Sequence, residues 1–176
     1  MENLQRKLIF GAKTHNKEGI FQLENVIDIL QGLTGETTDT IYDLFFAEKR
    51  VIAAIVLHHS DLSEIYKKHN ILSLFVGRGH EYFEIKMQSA KLMDERRQAF
   101  EGKSLDEILA LHRASLEIKY DDITSVAIKR GLLTTWLEFI VKKPSNRKIK
   151  FMLKKEQIAD AENVIGRILP SKILKL

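Results

Sequence analysis

The sequence predicts an α+β protein: an antiparallel barrel or sandwich, a C-terminal amphipathic helix that plugs it, and an inserted helical hairpin. Three observations lead there. Apolar and β-branched residues fall in short strand-like runs from Val26 to His59 and again after Glu117. Between them, Ser60 to Leu116 follows a helical period. After Glu156 comes one clean helical stripe, stopped by Pro170. A length of 176 residues suits one compact domain with room for an insertion. The expected organisation is a barrel over 1–59 and 117–176, with 60–116 inserted as a helical subdomain.

Taken in order, Leu8-Ile9-Phe10 is a candidate short strand. Val26-Ile27-Asp28-Ile29-Leu30 reads as another, with helix left open because so short a run has no decisive period. Thr40 to His59 is two apolar runs around Glu48-Lys49-Arg50, the pattern of a β-hairpin. Asp61, with Glu64 three residues later, is expected to cap the first helix. A loop containing Gly77-Arg78-Gly79 precedes a second helix from about His80 to Glu101, ended by Gly102. Its solvated face carries Glu84, Gln88, Lys91, Glu95 and Gln98, which leaves Phe83, Met87, Ala90, Met93 and Phe100 to be covered. Trp136 and Ile140, on the outer barrel face, are the expected cover within the chain. Ser104-Leu105-Asp106-Glu107 is a capping box opening a third helix. Three antiparallel strands follow, their inward faces marked by Val126 and Ile128, by Leu137, Phe139 and Val141, and by Ile149, Phe151 and Leu153. Gly131 and Pro144-Ser145-Asn146 supply the turns. The last helix presents Ile158, Ala161, Val164, Ile165, Ile168 and Leu169 on one stripe.

Composition excludes several chemistries. Without cysteine there are no disulfides, thiolate metal sites, iron–sulfur clusters or cysteine nucleophiles. Met1 to Lys7 lacks a signal-peptide core, so a soluble cytoplasmic protein, or one peripheral to a membrane, is expected. His58, His59 and Asp61 are weighed as metal ligands and set aside, since adjacent strand residues face opposite ways. No metal, no cofactor and no catalytic set is expected. The net charge of +4 is too small to imply nucleic acid. Its distribution is uneven, however. Lys142 to Lys155 contains Lys142, Lys143, Arg147, Lys148, Lys150, Lys154 and Lys155 and no acid. Lys142, Lys143, Arg147, Lys148 and Lys150 are the candidate anion- or lipid-binding residues, against the alternative that they protect strand edges. Arg78 and Gly79, before the second helix, are a candidate anion-binding turn.

The pattern resembles the pleckstrin-homology-like (PH-like) fold, in particular the bacterial and archaeal domains of the GRAM type. Tyr42 to Ile52 is similar to their first hairpin, with Ala47 where Thr or Asn is usual before the turn. Ile118-Lys119-Tyr120-Asp121-Asp122-Ile123-Thr124-Ser125-Val126 is similar to their proline-tyrosine, two-acid, isoleucine strand start, with Lys119 at the proline position. The resemblance implies a fold that hosts lipid binders, peptide binders and scaffolds. The expected function is a non-catalytic binding or scaffold module whose ligand is a protein partner or an anionic lipid surface. An enzyme with a pocket between barrel and helices is the alternative. A homodimer through the inserted helices is expected as well.

Overall fold

A computed structural model describes residues 26–36, 39–68, 79–142 and 147–174, the side chains of 79–81 excepted. Leu8-Ile9-Phe10, His69, Gly77, Arg78, Lys143 and Pro144-Ser145-Asn146 lie outside the described residues. Among those described, seven strands form one antiparallel open sheet: β1 (Asp28–Gly35), β2 (Ile41–Phe46), β3 (Arg50–Leu57), β4 (Leu116–Lys119), β5 (Ile123–Arg130), β6 (Thr135–Val141) and β7 (Arg147–Leu153). Their spatial order is β4-β3-β2-β1-β7-β6-β5, so the two ends of the strand sequence meet where β1 pairs with β7. Helices α1 (His59–Lys68), α2 (Gly79–Phe100) and α3 (Leu105–Ala110) fall between β3 and β4, which pair directly; α4 (Ile158–Ile168) follows β7.

The strand beginning at Asp28 runs on to Gly35, past the apolar run that ends at Leu30. Gly32 sits at φ 71, inside a register shift between Leu30 and Leu33. Glycine takes that conformation without steric cost, and the bulge carries the strand through.

One apolar layer lies inside the curved sheet. Leu44, Phe46, Val51 and Ala53 from β2 and β3 meet Leu137, Phe139 and Val141 of β6, Ile149, Phe151 and Leu153 of β7, and Ala161, Val164 and Ile165 of α4. The amphipathic stripe of α4 is therefore core, as its spacing requires. A second layer lies on the opposite face of β2 and β3. There Phe45, Ile52, Ala54 and Val56 meet Phe100, Leu105 and Ile108 of the helices, with Phe45 and Phe100 edge-on at 5.8 Å between ring centroids. This corrects the expected cover. Trp136 and Ile140 lie on the outer face of β6, half-buried, but the helices rest on β2 and β3 instead. Met93 and Phe100 are covered there, whereas Phe83 and Met87 stay exposed.

Charge also fastens α2. Asp43 in β2 is 0% exposed, and its carboxylate accepts from Arg97 Nε at 2.8 Å, Arg97 Nη2 at 3.0 Å and the Gly32 backbone N–H at 2.8 Å. Arg97 is held charged more strongly than usual by its hydrogen bonds to Asp43. Arg96 reaches Asp61 of α1 at 2.8 Å. Asp61 is not the residue ahead of the first turn. It lies inside α1 and accepts from the His58 N–H at 2.7 Å, the acid's half of a capping box. The box at Ser104 forms as expected, with Glu107 accepting from Ser104 N at 2.7 Å.

Candidate functional site

The feature that departs furthest from ordinary folding rules is the turn between β5 and β6. Arg130 pairs with Thr135, and Gly131 N donates to Thr134 O at 2.8 Å. Only Leu132 and Leu133 remain to make the turn. Such two-residue connections ordinarily hold Asn, Asp or Gly. Here the two leucines are 105% and 97% exposed, so neither contributes to a core. The turn is nonetheless braced. The Trp136 Nε1–H donates to Thr134 Oγ1 at 3.0 Å, and a Cβ on Gly131 would come within 3.0 Å of Thr134 O. A side chain there would crowd the backbone, so glycine keeps the hairpin tight.

Cations surround this tip. Lys129 pairs with Glu138 at 2.6 Å, and Arg130 with Glu162 of α4 at 2.8 Å. Because Thr135 pairs with Leu153, Lys154 and Lys155 leave β7 at the same edge of the sheet, and both are exposed. Sequence reading used Gly131 only as a turn signal; the signal for a site was the apolar pair in the turn positions.

The basic run from Lys142 to Lys155 is not one patch. Val141 pairs with Arg147, so Lys142 and Arg147 lie at the end of β6 opposite the leucines, ~20 Å away for a strand of this length. There the Lys142 N–H donates to the Asp122 carbonyl at 2.8 Å, which brings an acidic turn beside the base. Lys148 and Lys150 project between the two ends, on the outer face. Lys150 is engaged by Glu36 at 2.8 Å, and that hydrogen bond holds its ammonium above the usual range. Gly79 opens α2.

The histidines also come together in a way adjacency on a strand would forbid. His58 ends the sheet segment and His59 already belongs to α1, so the chain turns between them. Their rings lie 4.0 Å apart, and His112, from the segment before β4, lies tilted against His58 at 4.9 Å. Among the described residues, no group of three or more His, Asp or Glu side chains is placed to hold a metal ion. No helix among them is long and apolar enough to cross a membrane. Compared with known proteins, the chain matches no family model, no curated protein and no solved structure.

Proposed function

We propose that this chain is a PH-like domain acting as a non-catalytic binding module, and that it docks on an anionic lipid surface through the β5–β6 tip. The PH-like reading is supported by seven strands in one antiparallel sheet followed by a closing amphipathic helix, with the other helices inserted between β3 and β4. The docking reading is carried by one observation, the fully exposed Leu132 and Leu133 in a two-residue turn. Two leucines moved from water into the acyl boundary contribute about 3 to 6 kcal/mol. Each well-placed cation near an anionic surface adds about 1 kcal/mol. Lys154 and Lys155 stand exposed at that edge, beside Lys129 and Arg130, which are already paired with Glu138 and Glu162. Together these terms suit reversible, salt-dependent attachment rather than permanent anchoring.

Sedimentation with vesicles of phosphatidylcholine, with and without phosphatidylserine, tests it. Binding is expected only with the anionic lipid, falling as salt is added, and lost in the Leu132→Ser, Leu133→Ser double variant. Binding indifferent to lipid charge, or unchanged in that variant, would reject lipid docking and favour a protein partner.

A further inference from the structure

The helical excursion leaves the sheet at His58 and returns past His112, and these residues form its neck. Ring contacts of 4.0 Å and 4.9 Å join His59, His58 and His112. Two of the rings are held with an acceptor nitrogen facing a donor. The Ala114 N–H donates to His112 Nδ1 at 3.1 Å, and the Ser60 N–H to His58 Nδ1 at 3.3 Å. A neutral ring with its hydrogen on Nε2 satisfies this arrangement, since Nδ1 is then free to accept. Protonation of His112 would place N–H against N–H and end that bond. At His58 the Ser60 hydroxyl, 2.8 Å from Nδ1, can turn to accept. Beyond the local bond, two imidazolium rings repel each other at these separations.

The charged surroundings act in the same direction. Arg96 from α2 and Arg113 from the connecting segment both disfavour charge on His58 and His112; Asp61 of α1 is the opposing influence. Partial burial is the larger cause, and the balance lowers both histidines below their ordinary 6.5. Apart from these rings, α1 is held to α2 by the Arg96–Asp61 ion pair and by little apolar burial. Ile65 is the one apolar side chain it fully buries among the described residues, whereas α2 and α3 contribute Phe100, Leu105 and Ile108 to the layer on β3.

We propose that His58 and His112, with the His59 ring packed against His58, form a proton-sensitive latch that holds α1 to the segment leading into β4, and that acidification opens it. Because the neutral rings belong to the closed form, the open form takes up protons first. Closure is complete above about pH 6.5 and is lost as pH falls through the lowered values. The helices α2 and α3 stay on the sheet, since their apolar layer and the Arg97–Asp43 pair do not involve the latch.

Amide hydrogen exchange, corrected for the intrinsic effect of pH, tests this on the intact chain. Between neutral pH and about pH 5, protection in α1 should fall about tenfold relative to α2. His112→Asn keeps an acceptor for the Ala114 N–H but cannot take a proton. It should match the wild type at neutral pH and lose most of the fall. A wild-type α1-to-α2 ratio that stays constant over this range would overturn the latch, as would a folded His112→Asn variant with the full fall. If His112→Asn does not fold, the wild-type ratio alone decides.

Discussion

The two halves of the sheet solve the same burial problem differently. In β3, Val51 to Leu57 is apolar without a break, and every one of those residues is buried. Its inner side chains join the main core while Ile52, Ala54 and Val56 lie under the helices. In β7, Arg147-Lys148-Ile149-Lys150-Phe151-Met152-Leu153 alternates, and Ile149, Phe151 and Leu153 are its buried residues. On the outer face of β5, β6 and β7, Ala127 and Glu138 are buried, while Ile140 and Lys150 are partly exposed. A strand covered on both sides sheds its alternation, and one covered on a single side keeps it. The two halves differ in charge as well. Both Asp43 and Glu138 are buried, but Asp43 is held by Arg97 and the Gly32 N–H, whereas Glu138 pairs with Lys129, which is 40% exposed and can rehydrate.

Substitutions on the two halves should therefore differ in size. Phe100→Ala removes the ring that seats α2 on Phe45 and should cost about 3 to 5 kcal/mol in urea denaturation. A cost near zero would mean that the helices are not part of the cooperative unit. Asp43→Ala leaves the Arg97 guanidinium and the Gly32 N–H without their acceptor and should cost about 3 kcal/mol. Glu138→Ala on β6 also removes a buried carboxylate, but its partner Lys129 is 40% exposed and can return to water, so it should cost less than Asp43→Ala, about 1 to 2 kcal/mol. Equal costs for these two would break that contrast.

Smaller effects sharpen it. The Tyr120 hydroxyl donates to the Ala47 carbonyl at 2.7 Å, tying the start of β5 to the β2–β3 turn. Burial raises its pKa to about 12 from 10.0. The raised value means that stability is held below pH 10 and lost as pH climbs through about 12. Tyr120→Phe should cost about 1 kcal/mol at neutral pH and flatten that alkaline loss, measured by denaturation at a series of pH values. Leu132→Ser with Leu133→Ser should leave the unfolding free energy unchanged within about 0.5 kcal/mol, because neither side chain is buried. A clear destabilisation would show the turn to be structural and would weaken its reading as a docking tip.

Much of this architecture is written in local pattern. The alternation in β6 and β7, the stripe of α4, the capping box at Ser104 and the helix stop at Gly102 depend on residues a few positions apart. Backbone geometry alone turns such spacings into faces and ends. The pattern on Ile29 and Leu30 was short enough to leave helix open, and pairing with β2 decided for strand. What a face touches is another matter. Periodicity marks Met93 and Phe100 as apolar without naming Phe45 and Ile52 as their cover. Asp43 and Arg97 are 54 positions apart, and no local spacing announces them as a pair. The contact of His112 with His58 likewise needs β3 and β4 to pair first. The basic run is the reverse case. It is contiguous in sequence, but a hairpin sends its members to opposite ends of the sheet. The sequence by itself determined which residues turn inward, because that depends on the backbone period. Only the tertiary structure decided which inward faces, charges and turns meet, because those encounters follow from long-range strand pairing.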